Sequence, residues 1–173
     1  MYFEDLSLCY YHRGPCDADE WQAPLLAVGW LEPPHPFPTG ELLADFAEKL
    51  ESMIEAARNH YSQYHFRGLH DCDLCGVRET PPFRSYLTLW IPGKEVVYLA
   101  PGLITHYIGD HGYRPPAEFI AAVMACPEYG SPEYRAALQA ANGGHPTPLL
   151  TAEESHALWE KQREEMARQH GKL

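Results

Sequence analysis

The sequence is poor in basic residues and in long apolar runs, and both shortages exclude functions. Thirteen Lys and Arg stand against twenty-four Asp and Glu, which gives a formal net charge of −11. Because a field of this sign repels phosphate, we expect no nucleic-acid partner and no anionic membrane surface. No segment reaches the roughly 18 apolar residues of a membrane helix, and the first residues lack the pattern of a secretory signal. These observations predict a cytoplasmic protein whose field permits a basic protein partner.

The motifs of common enzymes are also missing. We find no glycine-rich phosphate loop, no H-E-x-x-H and no Ser–His–Asp order, so the sequence leans away from catalysis. The five cysteines are an odd number, which suits reduced thiols better than a disulfide framework. At 173 residues and 45% apolar content, the chain is long enough to bury a hydrophobic core without a stabilising disulfide or metal ion. A metal ion would then fix a subregion and not the whole fold.

Apolar periodicity predicts an α+β fold in which a small β-hairpin or sheet packs with four to five helices. We divide the chain into one α+β domain over residues 1–145 and a charged C-terminal helix over 146–173. The predicted elements are a strand at 25–31, a helix at 40–60 capped by Thr39, a hairpin of 86–91 with 95–99, helices starting near Pro101, Pro115 and Pro132, and a last helix with the capping box Thr151–Glu154.

The most informative motif joins two cysteines to two histidines. Cys72 and Cys75 form C-x2-C, and His106 and His111 form H-x4-H about thirty residues later. Two thiolates that close a small loop and two imidazoles suit a tetrahedral zinc ion. The order of elements is a cysteine turn, a hairpin and a helix with the histidines, which predicts a treble-clef-like zinc knuckle.

The identity of the fourth ligand stays open. Five residues of α-helix rotate the chain by about 500°, so His106 and His111 would point roughly 140° apart on a continuous helix. They converge only if the helix ends near Gly109, which glycine allows. His70, two residues before Cys72, is the other candidate, and we expect the nearby Asp71, Asp73 and Asp110 to orient an imidazole or screen the ion.

Two functions fit this motif. The first is a zinc-binding module with a closed structural site that binds another protein, for example as a toxin–immunity protein would neutralise a basic partner. The second is a zinc-dependent hydrolase with Cys72, Cys75 and His106 as ligands, water in the fourth position, and Glu79 or Asp110 as the general base. A third interpretation leaves the cysteines reduced and free of metal. Oligomeric state is not predicted.

Four stretches of the sequence form recognisable motifs. They read YFEDLS from Tyr2, VGWL from Val28 with HPFPTG from His35, RGxHxCxxC from Arg67, and APxLIxHYIxxHxYxPPxEF from Ala100. In these motifs the chain resembles an uncharacterised bacterial family over about residues 1 to 135. The resemblance implies a small soluble domain without an assigned activity, and it places His70, Cys72, Cys75, His106 and His111 inside family motifs.

Overall fold

The structure is a computed structural model that describes residues 1–10, 21–60, 68–75, 83–147, 149 and 151–170. Five helices and five short strands lie in these residues, which confirms the predicted α+β class. The elements are β1 (Leu25–Ala27), α1 (Ala44–Ala57), β2 (His70–Asp71), β3 (Arg84–Ser85), β4 (Thr88–Pro92), β5 (Val97–Pro101), α2 (Ile104–His111), α3 (Ala117–Ala125), α4 (Pro132–Ala141) and α5 (Ala152–His170). None of the described helices is both long and apolar enough to cross a membrane.

The central sheet has the strand order β1-β5-β4. β4 and β5 form the predicted antiparallel hairpin, with each strand starting two residues later than expected, and β1 joins β5 in parallel. Almost all residues of both hairpin strands are buried, which shows that the sheet is covered on both faces. Strands buried in this way favour continuous apolar runs over alternating ones. The Gly102 N–H donates to the Leu87 carbonyl (2.9 Å) and closes the base of the hairpin.

The N-terminal segment covers the outer edge of β1. The Leu6 N–H donates to the Ala27 carbonyl at 2.8 Å, and the Cys9 N–H donates to the Leu25 carbonyl at the same distance. This pairing leaves the strand without an open edge that could recruit another chain. Hydrogen bonds therefore continue the sheet beyond β1 even where the strand itself is short.

Asp5 ties the start of the chain to the segment that follows α2. Its carboxylate accepts hydrogen bonds from the Gly29 N–H and the Tyr113 hydroxyl, each at 2.9 Å. Burial raises the pKa of Asp5, although both donors favour the charged form. Gly29 has φ +73°, and a Cβ there would lie 3.0 Å from the Ile104 side chain, so this junction requires glycine.

The first helix starts later than the sequence predicts. α1 begins at Ala44 after an N-cap at Leu43, and Thr39 is not its cap. Thr39 instead forms a β-bridge with Tyr113, and the Gly40 N–H donates to the Gly112 carbonyl at 3.1 Å. Main-chain groups committed to this pairing cannot also open a helix, so local capping propensity loses to a tertiary contact. The buried face has the predicted helical spacing: Phe46, Leu50, Met53, Ile54 and Ala57.

The helices from α3 onward start where proline and capping signals place them. The prediction for Pro101 is wrong, because this residue ends β5 and α2 begins at Ile104. The Ser131 hydroxyl accepts from the Tyr134 N–H at the start of α4, and Gly143 and Gly144 follow its end with positive φ. The capping box of α5 is formed, with the Thr151 N–H donating to Glu154 at 2.8 Å and the Glu154 N–H donating to Thr151 at 3.2 Å. The division of the chain near residue 145 stays a prediction.

Candidate metal centre

Pairing of β2 with β3 shapes the segment that carries the cysteines. Residues 70–75, which we call the knuckle, start in β2 opposite β3 and turn back after Cys72. The Cys72 N–H donates to the Phe83 carbonyl at 2.9 Å, which extends the pairing into the knuckle. Asp71 and Arg84 form an ion pair (3.2 Å) on the exposed side of this pair of strands. The knuckle therefore has a fixed position before any ion is considered.

The helix that carries the histidines does not end at Gly109. The condition that the histidines converge only if the helix ends near Gly109 is wrong, because Gly109 lies inside α2 and the left-handed residue that ends the helix is Gly112, with φ +65°. The Gly112 N–H donates to the Tyr107 carbonyl, and the Gly112 carbonyl accepts from Gly40. The helix's own C-terminal hydrogen bond and the tertiary pairing with Gly40 thus select which of the two glycines ends the helix.

His106 and His111 nevertheless converge on a common point beside the helix. Their ring centroids lie 4.9 Å apart and the rings are nearly perpendicular, at 86°. Each ligand nitrogen is Nε2, at the far end of the side chain, so two rings on different sides of α2 can reach the same point. The reach of the imidazoles, and not a break in the helix, brings them together.

Four ligand atoms form one compact group. The ligand atoms of Cys72, Cys75, His106 and His111 all lie within 4.8 Å of one another. Between sulfur and nitrogen, the Cys75–His106 distance is 3.1 Å, the Cys75–His111 distance is 3.3 Å and the Cys72–His111 distance is 3.4 Å. Cys72 is buried and the other three are partly exposed. These residues are positioned to bind one metal ion.

The spacing of these atoms fits a tetrahedral ion. Bonds of about 2.3 Å to sulfur and about 2.05 Å to nitrogen place S and N ligands about 3.6 Å apart at the tetrahedral angle. The observed separations are shorter by a few tenths of an ångström, so small side-chain movements suffice to admit the ion. The donor set, two thiolates and two imidazoles, is one that zinc favours.

The His106 ring is held from two sides. Its Nδ1 lies 2.6 Å from an oxygen of Asp110, one helical turn further on, and the Phe83 ring stacks on it with centroids 4.0 Å apart. A carboxylate on the second nitrogen fixes the tautomer in which Nε2 is free to bind a metal. Asp110 thus makes the contact expected of it, whereas Asp71 pairs with Arg84.

His70 lies outside the compact group. Its ring is nearly parallel to the buried Trp30 ring, with centroids 6.4 Å apart, and its Nε2 is buried without a hydrogen-bond partner. Burial lowers the pKa of His70, so the neutral imidazole is favoured. The structure therefore combines His111, and not His70, with Cys72, Cys75 and His106.

Sequence reasoning missed two side chains at this centre. Phe83 follows a proline pair, and nothing in that pattern points to a contact with a histidine. Tyr107 lies between the histidines on α2, and its buried hydroxyl has no hydrogen-bond partner. Burial, followed by the nearby Cys72 and Asp73, raises the pKa of Tyr107 far above its usual range. The sequence predicted that Tyr107 lies on the apolar face of α2, but it did not predict that its hydroxyl would be buried without a hydrogen-bond partner.

Residues 1–124 match the model of a family described as a domain of unknown function, DUF7919. The chain belongs to this family. The expected relationship to an uncharacterised family is thereby confirmed, and the matched region contains all four residues of the metal group. No curated protein and no solved structure matches the chain significantly. The DUF7919 region ends within α3, so α4 and α5 lie beyond it.

Proposed function

We propose that this DUF7919 protein binds one zinc ion in a closed structural site formed by Cys72, Cys75, His106 and His111. The convergence of the four ligand atoms carries the proposal. Four protein ligands complete the coordination that structural zinc adopts and leave no position for water. The charge of the ion would be balanced by the two thiolates, so the site adds no net charge to the acidic protein.

A zinc ion at this position would connect the knuckle to α2. The two segments are separated in sequence by the β4–β5 hairpin, which matches the knuckle, hairpin and helix order of a treble clef. The buried core is extensive, spans the central sheet and takes in Cys72 at the site, so most of it lies away from the ion. We therefore expect the ion to stabilise the knuckle locally and to leave the central sheet largely independent of it.

The hydrolase alternative has less support. An open site requires one of the four ligands to be absent, yet both sulfurs lie within 3.4 Å of His111 Nε2. Asp110, one candidate for the general base, is engaged with His106 Nδ1. The other candidate, Glu79, lies outside the described residues. The closed site is the better interpretation of this geometry.

For the biological role, we propose a basic protein as the partner. The support is the formal net charge of −11, which speeds association with a positively charged surface and repels phosphate. An immunity-like role, in which the acidic protein neutralises a basic one, is one form of this proposal. Affinity capture from the native cell at two salt concentrations tests it. We expect one basic protein that binds more weakly at high salt, and capture of none would contradict the role.

The zinc site is tested by metal content in protein purified without a metal-affinity tag. We expect about one zinc per chain. His111→Gln should abolish binding, whereas His70→Gln and the exposed α5 variant His156→Gln should retain it. If His70→Gln lost zinc and His111→Gln retained it, the fourth ligand would be His70 and not His111. A reduced wild-type protein without metal would refute the site itself.

A further inference from the structure

Most of the side chains that the structure describes in the C-terminal helix are exposed. α5 has 19 residues and would extend for about 28 Å. Every described side chain from His156 to Arg168 is exposed, including Trp159 at 54% and Met166 at 55%. Beyond its own capping box, the polar contact described between α5 and the rest of the chain is the ion pair of Glu154 with Arg135, at 3.0 Å. A charged helix with a large exposed aromatic ring gains stability by packing against something else.

One face of α5 carries Trp159 and Met166, the two large apolar side chains of this helix that the structure describes as exposed. Arg163 lies four residues after Trp159 and three before Met166 on the same side, and the three residues form what we call the α5 stripe. The Arg163 guanidinium lies 5.0 Å from the centre of the Trp159 ring. A cation over an indole is compatible with burial of the other ring face against an apolar partner. The stripe has the composition of a small contact surface.

The charges beside the stripe are complementary to those of a second copy. Glu160 and Arg163 lie on the same flank, about one helical turn apart, and both side chains are exposed. The Glu160 carboxylate also lies 3.7 Å from His156 Nδ1, an exposed contact within the same helix. When two identical helices pair antiparallel about a twofold axis, equal flanks face each other. Glu160 of each copy then faces Arg163 of the other, which forms two opposite-charge contacts across the interface. A parallel pair would not bring these flanks together.

We propose that two copies of the protein associate through antiparallel pairing of their α5 stripes. Trp159 and Met166 supply the apolar centre, where a thioether against an aromatic ring is favourable, and the Glu160–Arg163 pairs fix the direction. The contact is one short helix wide, so the dimer belongs to the small, weak class and forms in a concentration-dependent manner. This surface is separate from the metal group.

Sedimentation equilibrium of the full chain over roughly 10–300 µM tests the pairing, because weak interfaces have dissociation constants in this range. We expect a monomer–dimer equilibrium. Arg163→Glu and Glu160→Arg, each alone, should raise the dissociation constant about tenfold, because two attractive contacts become repulsive. An equal mixture of the two variants should dimerise again, since every pair in the heterodimer has opposite charges.

Lys161→Glu is the matched control, because it makes the same charge change as Arg163→Glu on the opposite side of α5. It should leave the dimer intact, and helix content by circular dichroism should be equal in all variants. A monomer throughout the concentration range would overturn the proposal. So would a dimer that neither Arg163→Glu nor Glu160→Arg weakens, or a mixture of these two variants that fails to dimerise.

Discussion

Asp110 offers the sharpest test of how the metal centre is organised. Its carboxylate lies 2.6 Å from His106 Nδ1, and the His106 side chain is only 6% exposed while Asp110 is 57% exposed. Removing a carboxylate that orients a metal-binding histidine costs roughly 10- to 100-fold in affinity, or about 1.4–2.7 kcal/mol. Because Asp110 is open to solvent, which weakens its electrostatic contribution, we expect Asp110→Asn to fall at the lower end, near tenfold.

The assay is a competition titration of zinc against a chromophoric chelator. Asp73→Asn is the control, because Asp73 is an exposed carboxylate two residues before Cys75 and its loss changes the protein charge equally. We expect Asp73→Asn to weaken zinc binding by less than about threefold, as for a screened surface charge. Equal losses in both variants would show that charge, and not the hydrogen bond to His106, is responsible. No loss in either would refute the orienting role.

The other predictions concern stability. In urea unfolding of metal-free protein, Tyr107→Phe should leave the free energy of unfolding unchanged or raise it by about 1 kcal/mol, because the Tyr107 hydroxyl has no hydrogen-bond partner. Tyr134→Phe should lower the free energy of unfolding by about 1–3 kcal/mol, because it removes a hydrogen bond to the Trp90 carbonyl. In thermal melts, Gly29→Ala should lower the stability by about 1–3 kcal/mol, because the residue has a positive φ. Gly109→Ala should raise the stability by about 0.5–1 kcal/mol, because the residue lies inside α2 with open space around it. The capping box lowers the pKa of Glu154, so its stabilisation is present above the pKa of the unfolded carboxyl and lost as pH falls through the folded pKa. Circular dichroism should therefore show a loss of helix at acidic pH in the wild type, and Glu154→Gln should lack this dependence.

Patterns with a local physical cause predicted most of the fold. The hairpin, the proline starts of α3 and α4 and the capping box of α5 depend on residues that interact within a few positions of one another. The start of α1 was missed because Thr39 pairs with Tyr113, 74 positions away, and no local pattern encodes that bridge. The condition that the helix must end near Gly109 for the histidines to meet failed for the same reason, since contacts with residues 39 and 40 select Gly112 as the helix end.

The sequence predicted which types of residue form the candidate site, but it did not decide which histidine is the fourth ligand. Spacing singled out Cys72, Cys75 and His106, because thiolates two residues apart and a distant imidazole are a recurrent arrangement. The decision between His70 and His111 depends on side-chain direction. Strand β2 turns His70 toward Trp30, and this orientation follows from pairing with β3 and not from the sequence near the cysteines.

The closed base of the β4–β5 hairpin has a consequence for the order of folding events. Cys75 and His106 are 31 positions apart, but the Leu87–Gly102 hydrogen bond removes the hairpin from that span and leaves about half as much chain between the ligands. Each halving of a loop lowers its closure cost by about 0.6 kcal/mol. The hairpin, formed from contacts near in sequence, brings the knuckle toward α2 before any ion is needed. The chain can therefore fold first, and an ion bound between the knuckle and α2 would meet ligands that are already close together.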